Sequence, residues 1–229
     1  MSLRLPSSQA WFRAVAALCL LAAAGVASAA VTLLGSRGQV GAGGVVDWLA
    51  LGPEFTSVSN GSVVNPVTIS GSTGTFTVLT GSTFNGDFLA TETVLSLFDL
   101  GGGSGAGTFT IDFASGVYAA GAQVQANLFG AFSGLISAFD AANMLLGSYT
   151  INGNNAGNGD GSASFAGIAS TAGDIRRLVF SGFGNDAAIN RLSYQTVGAS
   201  SPTVPEPGTW WLAGGALAML AAGRRTRRA

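Results

Sequence analysis

The stretch Gly107-Thr108-Phe109-Thr110-Ile111-Asp112-Phe113 decides the fold class of this chain. Phe109, Ile111 and Phe113 alternate with Thr108, Thr110 and Asp112, and successive side chains of a strand point to opposite faces. One face is therefore apolar and the other wet, as in an antiparallel sheet lying on a core. A shorter repeat sets Phe76 and Val78 against Thr75 and Thr77. Around these, β-prone runs divided by Gly, Asn and Ser are predicted at 31–34, 62–70, 74–80, 92–98, 108–113 and 123–129. They continue at 134–140, 144–151, 162–169, 176–181 and 187–194. Turn residues at that spacing favour an antiparallel sandwich over βαβ units. No stretch carries helical periodicity with caps, and the Ala-rich part near 138–142 is read as a turn. The pattern predicts an all-β domain over residues 30–198, built as an antiparallel, two-sheet, jelly-roll-like sandwich.

Both ends differ in character from this domain. Arg4 and Arg13 give a positive start, residues 14–24 are uninterrupted and apolar, and Ala27-Ser28-Ala29 follows. That order predicts a signal peptide over residues 1–29, handled by the Sec translocon and cut by signal peptidase at the small residues Ala27 and Ala29. Cys19, the only cysteine, leaves with it. Leu18, where a lipoprotein needs a small residue, argues against lipid attachment.

At the other end, residues 199–204 include Ser200-Ser201-Pro202-Thr203 and read as an extended linker. Pro205 and Pro207 fix φ and disfavour helix for the residues before them, so Glu206 is held extended. Residues 209–223 carry no charge and would span ~22 Å as a helix, short of the about 20 residues a hydrocarbon core needs. Trp210 and Trp211 suit one interface, and Arg224, Arg225, Arg227 and Arg228 form a membrane stop. Pro-Glu-Pro, a short transmembrane helix and terminal arginines, together residues 205–229, resemble the PEP-CTERM sorting signal. The resemblance covers about a tenth of the chain and implies a Gram-negative export. Such a chain crosses the inner membrane, is held there transiently, and is cut near Pro205-Glu206-Pro207 by an exosortase. It then goes to the cell surface or the extracellular space. Proteins of this kind accompany exopolysaccharide and biofilm.

The domain also resembles a β-rich unit that recurs in such proteins. The phrases are 107–113, Val117-Tyr118-Ala119-Ala120-Gly121-Ala122-Gln123-Val124, Ala138-Phe139-Asp140, Leu146-Gly147-Ser148-Tyr149 and Ala188-Ile189-Asn190-Arg191-Leu192. That resemblance implies no catalytic residue. It implies that Asp112 and Asp140 are structural, accepting backbone hydrogen bonds at strand ends.

Composition narrows the chemistry. Between residues 30 and 204, four arginines face ten acids, a net charge of −6, with neither lysine nor histidine. A nucleic acid partner needs a basic face, so none is expected. Without histidine or a mature cysteine, Ser/His/Asp and Cys/His nucleophiles and the usual zinc sites are excluded. The glycine run 101–107 lacks the Lys-Ser/Thr ending of a phosphate cradle and reads as a loop. A glycosidase needs only two carboxylates at suitable separation, yet none of the ten acids sits in a recognisable catalytic context.

Two stretches remain as candidates for binding. Residues 152–161 place Asn152, Asn154, Asn158 and Asp160 among glycines, which suits Ca²⁺; the alternative is a loop of Asx-turns. Trp48 is a candidate sugar platform, with a partly buried Trp as the alternative. The sequence therefore predicts a non-enzymatic, exported surface or matrix protein without a cofactor. A carbohydrate-binding module, Ca²⁺-assisted, and a secreted glycoside hydrolase are the alternatives.

Overall fold

A computed structural model describes residues 29–72, 74–97, 107–183 and 187–197. Ala27, the linker, Pro205-Glu206-Pro207, the expected transmembrane helix and Arg224 to Arg228 lie outside the described residues, as does most of the glycine run. Among the described residues, no helix is long and apolar enough to cross a membrane.

Fourteen strands are present among the described residues. They begin with β1 (Val31–Leu34), β2 (Gly44–Val46), β3 (Ser57–Ser59), β4 (Ser62–Val64), β5 (Val67–Gly71), β6 (Thr75–Thr80) and β7 (Thr93–Ser96). The second half holds β8 (Thr108–Gln125), β9 (Gly130–Phe139), β10 (Leu145–Asn155), β11 (Phe165–Ser170), β12 (Ile175–Ser181), β13 (Ala188–Asn190) and β14 (Leu192–Thr196). Short 3₁₀ turns occupy Arg37–Val40 and Trp48–Leu51, and a single turn of α-helix, α1, spans Gly81–Phe84.

The run 108–113 opens β8, the trunk of the molecule. Phe109, Ile111 and Phe113 are buried while Thr108, Thr110 and Asp112 are half-exposed, as the alternation requires. β8 does not end at Phe113. It bends through Ala114-Ser115-Gly116 and continues to Gln125, with a register shift opposite Ile175 and Arg177. A Cβ at Gly116 would stand 2.4 Å from the carbonyl oxygen of Gly173, so this glycine admits a neighbouring backbone and marks a close approach within one strand.

All pairing is antiparallel and radiates from β8. Its first part lies between β5 and β12, with Ile69 and Leu178 both opposite Ile111. Its middle lies between β11 and β14, with Gly167 and Ser193 both opposite Gly121. Its end pairs with β13, Ile189 opposite Val124. Beyond these neighbours, β9 and β10 extend from β12, β1 from β11, β2 from β14 and β4 from β5. β7, β6 and β3 extend from β13. Every strand is thus joined through β8 in one hydrogen-bonded array.

The main core gathers Trp48, Phe76, Phe109, Ile111, Ile136 and Phe180, among others. Each such side chain contributes about 1.5–3 kcal/mol by leaving water. The Phe76 and Phe109 rings stack at 5.8 Å. A second cluster, Leu79, Phe84, Phe88 and Val94, explains why β6 departs from the expected alternation. Phe76 and Val78 face the main core while Leu79 faces this smaller one, so β6 is covered on both sides. The expected single strand 62–70 is instead a hairpin. Pro66 offers no N–H to a ladder, and β4 turns back at Asn65-Pro66 into β5, Val64 opposite Val67.

Candidate functional site

Asn190, the last residue of β13, is a fully buried amide whose hydrogen bonds assemble one end of the trunk. Its Nδ2 donates to Gln123 Oε1 at 2.6 Å and to Glu92 Oε2 at 3.2 Å. Its Oδ1 accepts from Gln123 N at 2.9 Å and from Arg37 Nη2 at 3.0 Å. Its carbonyl accepts from Trp48 Nε1 at 2.8 Å. One residue therefore fixes the trunk, both 3₁₀ turns and the loop before β7 relative to each other.

Trp48 is the anchor of that arrangement. Its side chain is 0 % exposed, and its indole N–H is spent on Asn190. The sugar-platform reading of Trp48 is corrected: no ring face reaches solvent. The alternating pattern missed this because a 3₁₀ turn, capped by Asp47 Oδ1 accepting from Leu49 N, turns the indole inward.

The Asn-Gly stretch is likewise corrected. Asn152 and Asn154 belong to β10, opposite Ser133 and Ala131, because ladder bonds and the burial of Ile151 and Asn155 outweigh turn-like composition. The loop starts only after Asn155, whose Oδ1 accepts from Gly157 N, and Asp160 Oδ1 accepts from Ser162 N. Both are Asx-turns. This loop directs N–H donors inward, where calcium asks for oxygen. Ala156 N and Asn158 N donate to the two carboxylate oxygens of Asp87 at 2.9 and 2.7 Å. Gln125 Nε2 donates to Asp87 at 2.8 Å, so this buried carboxylate organises the loop from below. Among the described residues, no three of His, Cys, Asp and Glu gather to hold a metal.

Where the loop returns to β11, it borders an open groove of about 460 Å³ against Gly35-Ser36-Arg37. Gln123 forms part of its lining and is held by donating Nε2 to the carbonyls of Gly161 and Ala163 at 2.7 and 2.8 Å. Arg37 is fixed by donation from Nη1 to Arg191 O at 3.0 Å and to Ser193 Oγ at 2.5 Å. Its guanidinium lies 5.9 Å from the centre of the Phe165 ring. Burial pulls its pKa below the ordinary arginine value, nearby Arg191 pulls the same way, and Glu92 opposes both. Ser162, Ser164 and Phe165 complete the wall. Sequence reasoning missed this groove; its one visible sign was that Arg37 is one of four arginines in an acidic domain.

A smaller hollow of about 180 Å³ lies elsewhere, lined by Asp112, Asp140, Arg176 and Arg177. Asp140 accepts from Ala142 N and Met144 N at 2.9 and 2.8 Å where β9 ends, the expected structural role. Asp112 departs from that expectation, because it sits within β8 and pairs with Arg177 at 2.6 Å.

Residues 203–228 match the family described as the PEP-CTERM protein-sorting motif. No curated protein matches the chain. Among solved structures, CsCBM6-3 from Clostridium stercorarium in complex with cellobiose is 15% identical, with 62% of this chain and 95% of that one covered, at a TM-score of 0.34. TmCBM61 in complex with β-1,4-galactotriose is 12% identical, covering 57% and 90%, at 0.27. The enzymatically active domain of bacteriophage CBA120 tailspike protein 4 is 20% identical, covering 62% and 22%, at 0.26. Likenesses this slight carry no argument about a ligand.

Proposed function

From a chain that carries the PEP-CTERM sorting motif, and so is an exported, exosortase-sorted protein, we propose a non-enzymatic surface or matrix component associated with exopolysaccharide. The observation that carries this reading is the motif match at residues 203–228 behind a folded, acidic, histidine-free β domain. In it, the Sec translocon and signal peptidase remove residues 1–29. The apolar segment 209–223 then holds the chain in the membrane until exosortase cuts near Pro205-Glu206-Pro207, and the domain ends at the surface or outside the cell. The strands around β8 act as the two layers of a jelly-roll-like sandwich.

The non-catalytic part of the proposal is supported by how the acids are used. Asp87, Asp112 and Asp140 each hold a structural bond, and the groove lining contains no carboxylate. A second reading, carbohydrate binding, is favoured by that groove, which falls in the range of about 300–1,000 Å³ usual for small-ligand sites.

The test is the intact mass of the exported protein together with its sedimentation on the producer's own polysaccharide. Expected is a form lacking residues 1–29 and the terminal arginines that co-sediments with the polymer. Arg228 still present in the exported form would sink the sorting part. A mature protein that stays in the supernatant would overturn the matrix part, and sugar release by the pure protein would overturn the non-catalytic part.

A further inference from the structure

We propose that the groove between Gly35-Ser36-Arg37 and Gly161–Phe165 is a binding site for a carboxylate-bearing sugar, with Arg37 as the residue that takes the carboxylate. The inference rests on the exopolysaccharide reading above and names the ligand class of its groove.

A guanidinium has five N–H donors. Three of those on Arg37 are directed at Arg191 O, Ser193 Oγ and Asn190 Oδ1. The Nε–H and one Nη2 hydrogen have no hydrogen-bond partner among the described residues, and two such donors are the complement of a carboxylate. The group is half-buried and tethered, so ligation costs little side-chain ordering. Its charge is not matched by any acid in the groove lining. Glu92, the acid that faces this network, sits behind Asn190 and lies 3.8 Å from Arg191.

The rest of the lining selects a polyol. Ser36 and Ser162 bring hydroxyls, Gly35 and Gly161 leave width, and Phe165 supplies an apolar edge beneath the cation. An acidic peptide would satisfy the arginine alone; a sugar acid also uses the hydroxyl wall. The location adds purpose. In a domain of net charge −6, an acidic polymer meets net repulsion, and Arg37 supplies a fixed cation inside the groove that offsets it there and sets the register.

The test uses the exported protein, ¹⁵N-labelled in the producing cell, titrated with trigalacturonic acid, cellotriose, inorganic phosphate and a glutamate-rich peptide. The expected result is that trigalacturonic acid shifts the Arg37 Nε–H resonance while the other three probes leave it unmoved. Arg37→Lys, which keeps charge and loses the fork, is expected to weaken binding at least tenfold. Because Arg37 also ties three elements together, Ser162→Trp provides a second variant that blocks the mouth from an exposed position. It is expected to abolish binding while the amide resonances of β8 away from the groove keep their positions, which shows the fold intact. Equal response to cellotriose, phosphate or the peptide overturns the inference, as does a trigalacturonate shift confined to residues away from the groove, or none. Failure of the matrix reading is separable: a protein that ignores the producer's polymer yet binds trigalacturonate at Arg37 loses the first reading and keeps this one.

Discussion

Asp87 and Gln125 bind each other twice. Gln125 Nε2 donates to Asp87 Oδ2 at 2.8 Å, and Asp87 N donates to Gln125 Oε1 at 2.7 Å, with both side chains buried. The remaining capacity of the carboxylate receives Ala156 N and Asn158 N from the loop after β10. Removing the acceptor would leave three buried or half-buried donors unpaired, each costing about 1–3 kcal/mol. Asp87→Leu is therefore expected to destabilise the domain by about 3 kcal/mol or more, measured by urea unfolding. Hydrogen exchange at Ala156 and Asn158 should accelerate in the same variant. Unchanged exchange there would mean that the loop holds itself.

Trp48 yields a prediction that separates an anchor from a platform. Trp48→Phe keeps most of the ring and loses the bond to Asn190 O, for an expected cost of about 1–2 kcal/mol. Trp48→Ala also opens a cavity and should cost about 3–5 kcal/mol. Urea unfolding checks both. A platform residue would show the reverse: unchanged stability and lost sugar binding.

Glu206 is the residue on which sorting is expected to turn. Pro205 and Pro207 flank it, a setting that disfavours helix, and the motif match includes it. Glu206→Ala should leave an uncut chain in the membrane fraction, seen as a higher intact mass. Export of a normally cut protein by that variant would remove Glu206 from the recognised set.

What the sequence made legible follows from which force dominates locally. Phe109, Ile111 and Phe113 were readable because one face of β8 is buried and the other wet, so period-two patterning reports burial directly. β6 was misread as one-sided because two separate cores cover it, and patterning is silent where both faces are apolar. Asn152 was misread for a related reason: composition signals a loop there, while the ladder decides otherwise, and the close backbone approach at Gly116 left no mark in the pattern. The groove was invisible because Arg37, Gln123, Gly161 and Asn190 lie far apart in the chain and meet only through the pairing of β8 with β11, β13 and β14.

Gly116→Ala tests that close approach. An added Cβ at 2.4 Å from Gly173 O cannot be absorbed by a flexible side chain, since the obstacle is backbone. The expected loss is about 1–3 kcal/mol, typical of overpacking, and thermal unfolding measures it. A neutral result would mean that β8 and the 171–174 turn separate easily.

The pH response should trace to Glu54. Its Oε1 accepts from Thr83 Oγ1, from Thr80 Oγ1 at 2.7 Å and from Thr80 N at 3.1 Å, tying the chain after Pro53 to the start of α1. The Thr83 hydroxyl, then that of Thr80, holds the Glu54 carboxyl below its ordinary 4.5. Asp160 is lowered from 3.8 in the same sense, chiefly by Ser162. In both, the unfolded chain binds its proton first as pH falls, so the contribution is full above the ordinary value and is lost as pH drops through the lowered one. The unfolding midpoint is thus expected to be flat near neutrality and to decline from about pH 4.5 downward. Glu54→Gln should flatten part of that decline while leaving the midpoint at pH 7 lower than in the parent. A decline of identical steepness in the variant would place the acid sensitivity at other carboxylates.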